Sequence, residues 1–234
     1  MLRVNQLNGF GVIERRVPST IERLGHVNST ANNITYTFGG QSLGEAAADR
    51  YIIVAVAFRD DGLSADATAV SVAGVAATEF GNVSFANSSE SCYTGFWIVA
   101  LPSGTTGDIV ITGNTTMTEV AATWYRVTGL ASATPTDTST DTAGTGVNVM
   151  DMNLDVQAGG IVLAIATSDV EGIACTWTGI VDEDDDVGLG NMRATAASRK
   201  QTAAGAAQAI QVTMGTGNLR ACSSAAHWAA INGF

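Results

Sequence analysis

The most charged stretch of the chain is Asp182-Glu183-Asp184-Asp185-Asp186. In an extended backbone alternate side chains share a face, so Asp182, Asp184 and Asp186 are expected to project together as hard oxygen donors of the kind calcium takes. The spacing departs from an EF-hand loop, which needs Gly at its sixth position and a carboxylate at its twelfth; here those places hold Val187 and Arg193. Calcium is the one cofactor the residues suggest, against the alternative of a solvated acidic loop.

Nucleophilic chemistry is less well supplied. Gly40-Gln41-Ser42-Leu43-Gly44 matches GxSxG, and His227 follows far downstream with many aspartates between, the chain order of an α/β-hydrolase triad. A nucleophile elbow needs a helix directly after the serine turn, yet Glu45 to Asp49 leads at once into an apolar strand at Arg50. The two glycines therefore read as β-connection residues, and no catalytic residue is assigned. His26 and His227 are the only histidines, which argues against a histidine zinc site; His227, beside Trp228, reads as half-buried and bonded to backbone. Cys92, Cys175 and Cys222 lie in apolar surroundings and read as reduced core thiols. Trp97, Trp124, Trp177 and Trp228 read as core rather than as sugar-stacking platforms.

The elements that must position these groups are strands. Across 234 residues, Ala (36), Thr (28), Gly (26) and Val (22) dominate, and Lys200 is the single lysine. From Ile34 onward, short β-branched or aromatic runs alternate with Gly, Asn, Asp, Ser and Thr clusters, which predicts strands at 34–38, 50–58, 69–73, 92–100, 107–112, 117–127, 147–154, 160–167, 173–181, 192–200, 208–214 and 221–231. Three of them, YIIVAVAF, CYTGFWIVA and GGIVLAIAT, are apolar on both faces and must be covered on both sides. The class this implies is all-β: a single antiparallel, jelly-roll-like β-sandwich over residues 26–234, with a long polar connection at 131–146 between its halves, the alternative being a linker between two subdomains.

Charge divides the chain differently. Residues 1–25 carry +2 and the remainder −13, giving −11 overall. That balance argues against nucleic acid and against an anionic membrane surface as partners. The longest apolar run, Tyr51 to Phe58, is far short of the roughly 20 residues of a membrane helix. Polar residues at Arg3, Asn5, Gln6 and Asn8 interrupt any signal-peptide core, so synthesis in the cytoplasm is expected. Residues 1–25 are nevertheless too apolar for a free tail, and they are expected to be an anchoring arm in which Leu2, Val4, Leu7, Phe10, Arg15 and Arg16 make the contacts.

RYIIVAVAFRDDG, VSVAGVAAT, FWIVALPSGTTGDIVITG, ATWYRVTGL and LDVQAGGIVLAIAT together resemble, over about residues 34 to 167, the small β-sandwich virion proteins of tailed bacteriophages and prophages. The resemblance carries no catalytic motif. It implies a structural place in the particle: a head decoration (cement) or spike-like subunit, made in the bacterial cytoplasm, docked through its arm on the major capsid protein or on tail components. Self-association fits the two-sided apolar strands and the thin charge, and a trimer fits the threefold positions that surface proteins of icosahedral heads often occupy. The alternatives are a tail-fibre or baseplate subunit whose loops near 82–91 and 131–146 and aspartates 182–186 bind host surface glycan, and a carbohydrate-active enzyme of sandwich fold.

Overall fold

The computed structural model describes residues 17–62, 66–86, 90–144, 147–180, 182–215 and 220–231, with Asp182 described by its backbone alone. Every regular element among them is a strand, and every pairing is antiparallel. No helix of the described residues is long and apolar enough to cross a membrane.

An all-β antiparallel sandwich is the architecture found, and it is built twice. The first unit contains β1 (Thr20–Ser29), β2 (Asn33–Ser42), β3 (Tyr51–Asp60), β4 (Ala67–Val72), β5 (Val75–Ala76), β6 (Thr78–Ala86), β7 (Ser91–Ala100), β8 (Thr106–Met117) and β9 (Glu119–Thr128). Its sheets run β1-β9-β3-β7-β6 and β2-β8-β4-β5. The order 1-9-3-7 facing 2-8-4-5 is the double Greek key of a jelly roll, with β6 added at one edge. The second unit contains β10 (Asp137–Ala143), β11 (Val149–Val156), β12 (Ile161–Ser168), β13 (Cys175–Thr178), β14 (Asp182–Leu189), β15 (Met192–Lys200), β16 (Gly205–Met214) and β17 (Ala221–Trp228). Its sheets run β10-β17-β12-β15-β14 and β11-β16-β13. Substituting β10, β11, β12, β13, β14, β15, β16 and β17 for β1, β2, β3, β4, β6, β7, β8 and β9 turns one pattern into the other, leaving only the two-residue β5 without a counterpart.

The two five-stranded sheets stack against each other, so four sheets form three cores. Ile52, Val54, Val56 and Phe58 of β3 point into the first sandwich, with Trp97, Ile109, Ile111 and Trp124. Ile53, Ala55 and Ala57 point the other way, into a seam shared with Ile161, Leu163, Ile165, Met192 and Trp228. Val162, Ala164 and Ala166 face the second sandwich's own core with Met152, Leu154, Ile210 and Val212. This explains the runs apolar on both faces: β3, β7 and β12 belong to sheets covered by a sandwich partner on one side and by the other sandwich on the other. At the seam β1 lies beside β14, β6 beside β10, and β3 over β12. Exchanging the two units maps these three contacts onto themselves, a two-fold-like arrangement within one chain, although β6 packs more closely on β17 than β14 does on β9.

Two boundaries differ from the sequence expectation. The arm limit at residue 25 falls inside β1, which pairs with β9 from Thr20 onward, so residues 20–25 belong to the sandwich. The polar stretch 131–146, expected as a connection between halves of one sandwich, carries β10, an edge strand on β17. Its alternating DTSTDTA turns Thr138, Thr140 and Thr142 outward, while half-buried Asp137, Ser139 and Asp141 accept hydrogen bonds from β11 amides, so it lacks the apolar signal of a central strand.

Candidate functional site

β14 carries the acidic run to the seam. Its pairing with β15 shifts between Glu183 and Asp185, a bulge that leaves Asp184 as the extra residue. Instead of alternating, Asp184 and Asp185 both reach the first sandwich. Tyr125 Oη donates to Asp184 Oδ2 at 2.8 Å. Arg23 Nε and Thr123 Oγ1 each donate to Asp185 Oδ2 at 2.9 Å, and His26 Nδ1 lies 3.1 Å from Oδ1. Asp186 is held by the Arg193 guanidinium of the neighbouring strand. The bulge thus divides the expected row of donors: Asp184 turns to Tyr125 and Asp186 to Arg193. Among the described residues no group of three or more His, Cys, Asp or Glu could hold a metal ion.

Burial sets the electrostatics here. It pushes the Asp184 carboxyl above the usual range, opposed by hydrogen bonds from Ser198 and Tyr125. It also pushes the Tyr125 phenol well up, with the Asp184 charge adding to it. The hydrogen bond to Asp185 raises Arg23.

Beside this network an open groove of about 460 Å³ is lined by Ile21, Arg23, Asp184, Ser198, Arg199 and Lys200. Arg199 donates to Gly179 O at 2.5 Å and to Gln201 Oε1 at 2.7 Å. The groove offers the exposed ammonium of Lys200 next to a hydroxyl, a carboxyl and an apolar wall, which suits a small polar or anionic group. A second groove, of about 290 Å³, is lined by Pro18, Ser19, Gly159, Lys200, Gln201 and Thr202, so Lys200 borders both.

The seam holds a second ionic cluster. Arg59, almost fully buried, donates to Glu119 Oε2 at 3.0 Å and to Glu90 Oε1 at 2.5 Å. Glu90 also receives Arg220 of the second sandwich, and Arg220 donates to Asp169 Oδ2 at 2.9 Å. Glu90 is therefore one link between the units, and Glu119, which accepts the Asn191 amide at 3.3 Å, is another. Burial is the main reason the Asp169 carboxyl is raised. Sequence reasoning passed over this cluster, although Arg59-Asp60-Asp61 directly after an apolar strand is its local signal.

Arg50 is a further residue whose part was not legible. Its buried guanidinium donates to six main-chain carbonyls, those of Leu43, Gly44, Glu45, Leu101, Ser103 and Gly104, at 2.6–3.2 Å. It pins the loops before β3 and after β7. Gly40 and Gly44 of the GxSxG match both have positive φ, 65° and 67°; Gly44 turns the connection after β2 as expected, whereas Gly40 lies inside β2, at the register shift between Phe38 and Gln41. Their Ser42 carbonyl accepts Trp124 Nε1 at 2.8 Å. His227 Nδ1 lies 2.7 Å from Thr136 Oγ1 in the second sandwich, and its Nε2 accepts the Gln157 amide at 3.2 Å. Trp97, Trp124 and Trp228 are core, and Trp177 packs at the edge of it. Cys92, Cys175 and Cys222 are buried and unbridged. The proposed anchoring residues Leu2, Val4, Leu7, Phe10, Arg15 and Arg16 lie outside the described residues.

No family model and no curated protein matches the chain. A solved structure described as an anti-sigma factor domain-containing protein is similar over 84% of this chain and 78% of that one, at 11% identity and a TM-score of 0.23, a likeness too slight to bear on fold or role.

Proposed function

We propose that the chain is a structural subunit of a bacteriophage particle, a head decoration or spike-like protein that docks through the segment preceding residue 17. The observation that carries this reading is how that segment joins the body. Val17 N–H donates to Ile231 O at 3.1 Å, Ser19 N–H to Gly159 O at 2.8 Å, and Ser19 Oγ to Gly129 O at 2.9 Å. An arm attached there transmits load into both sandwiches at once, as a docked surface subunit needs. The four-sheet body, with three apolar cores, supports the same reading as a stiff assembly unit. Partners in this proposal are the major capsid protein or tail components and further copies of the chain, a trimer being favoured.

The test is co-sedimentation with purified phage heads and with isolated tails, comparing the full chain with a truncation lacking residues 1–16. The cut stops short of Thr20 because deeper removal takes β1 from its sheet. Head binding by the full chain that is lost on truncation supports decoration; binding by neither form contradicts it.

One observation favours the alternative of a tail-fibre or baseplate subunit that binds host glycan: the seam groove presents Arg23, Asp184, Ser198 and Lys200, mixed donors and acceptors of the kind sugars take. Tail binding together with glycan affinity selects that reading. A sandwich-fold carbohydrate-active enzyme is less well supported, because Asp184 at this groove is engaged by Tyr125 and the neighbouring Asp185 by Arg23, instead of two carboxylates facing each other across a cleft.

A further inference from the structure

We propose that Cys92 and Cys222 are a modification site: a pair that oxidises reversibly to one disulfide and ties the two sandwiches together covalently. The inference does not depend on the particle role. Cys92 lies on β7 and Cys222 on β17, strands of the two sheets that meet at the seam. Their sulfurs are 2.6 Å apart, nearer than unbonded atoms of that size rest, against about 2.05 Å in a disulfide. The approach is set by the backbones. Two residues further along both strands, Thr94 Oγ1 and Ser224 Oγ lie 2.8 Å apart, so the strands run in matched register past each other. Cys175, in the outer core of the second sandwich, is a separate thiol, so the odd cysteine count resolves into one pair and one single residue.

The chemistry is thiol–disulfide exchange with a low-molecular-weight disulfide. One cysteine attacks the small disulfide as its thiolate, forming a mixed disulfide and releasing one small thiol. The second cysteine then displaces the other small thiol. Two protein thiols thus lose two electrons and two protons, and one small disulfide becomes two small thiols. Both cysteines are buried, and burial pushes the Cys222 thiol well up, so the folded chain offers little thiolate. Exchange therefore runs through opening of the seam or during folding. In a reducing cytoplasm the dithiol persists; after release into an oxidising medium the bridge accumulates. It closes a loop that takes in β8 and β9 and the second sandwich as far as the start of β17, and so shifts the unfolding equilibrium toward the folded state on the order of a thousandfold.

The test uses the full chain, reduced and then incubated with oxidised glutathione in sub-denaturing urea, followed by alkylation in denaturant and intact-mass measurement. The proposal expects loss of two hydrogens, one alkylated cysteine, and a peptide map joining the segments containing Cys92 and Cys222. In Cys175→Ser the bridge still forms and no cysteine alkylates; in Cys222→Ser no bridge forms. Three alkylated cysteines, stable glutathione adducts at Cys92 or Cys222, or a bridge that includes Cys175 would overturn it. So would an oxidised protein that unfolds at lower urea than the reduced one, because the bridge would then be incompatible with the fold.

Discussion

Arg23 on β1 and Asp185 on β14 meet across the seam, with Nε donating to Oδ2 at 2.9 Å while Thr123 Oγ1 donates to the same oxygen at 2.9 Å. One carboxylate of the second sandwich is thereby held by two donors of the first. Asp185, which lies between the expected calcium ligands Asp184 and Asp186, is part of the joint between the two sandwiches.

Asp185→Ala strands Arg23 and Thr123 at a partly closed interface, and a loss of about 2 kcal/mol is expected. Glu22→Ala, which removes an exposed carboxylate 3.9 Å from Arg126, is expected to change stability by less than about 0.5 kcal/mol. Urea denaturation of both variants measures the contrast. Equal effects would mean that Asp185 is an ordinary surface charge.

Arg50→Lys replaces a fork that reaches six carbonyls with an ammonium that has three protons. The variant is expected to lose about 3 kcal/mol. Hydrogen exchange should show the weakening first in the loops at 43–45 and 101–104, with the second sandwich unchanged.

His227 makes stability depend on pH. Burial lowers its pKa below the ordinary 6.5, against an opposing field from Asp137. The unfolded chain takes up the proton first, so the contribution present above pH 6.5 is lost as pH falls below it. The raised carboxyls of Asp169 and Asp184 act in the opposite sense, favouring the fold below their raised values. Comparing the chain with His227→Gln cancels them. Between about pH 7.5 and 5.5 the unsubstituted protein should lose more stability than the variant; parallel curves would contradict the assignment.

The doubling predicts that fragments 17–130 and 131–231 are each a complete sandwich and that, co-expressed, they associate one to one through the seam of Ile53, Phe96, Leu163 and Trp228. Size-exclusion chromatography with light scattering reads the complex. Fragments that purify apart as stable monomers would contradict the seam as a packed core.

The strand class and the two-sided burial of β3, β7 and β12 were legible because apolar residues on both faces require cover on both sides. The duplication was not. The corresponding strands keep their places while their side chains differ: Trp97, Trp124 and Phe58 crowd the first core, whereas Met152, Ala164 and Ala166 fill the second. Pairing order leaves no periodic trace in sequence when the residues that realise it change. The edge strands β1, β6, β10 and β14 were also hidden: β10 and β14 are largely Thr, Ser, Asp and Glu, and in β1 and β6 Gly and polar residues interrupt the apolar positions. At the acidic run, a one-residue bulge decided which carboxylates faced which partners, and bulges have no reliable local code.

The central claim is that this doubled jelly roll is a part of a phage particle. Quantitative mass spectrometry of density-gradient-purified particles, from a lysate of the bacterium that carries the gene, tests it directly. The account predicts the chain in the particle fractions at a fixed ratio to the major capsid protein; its recovery solely in the soluble fraction, with particles free of it, would contradict that claim.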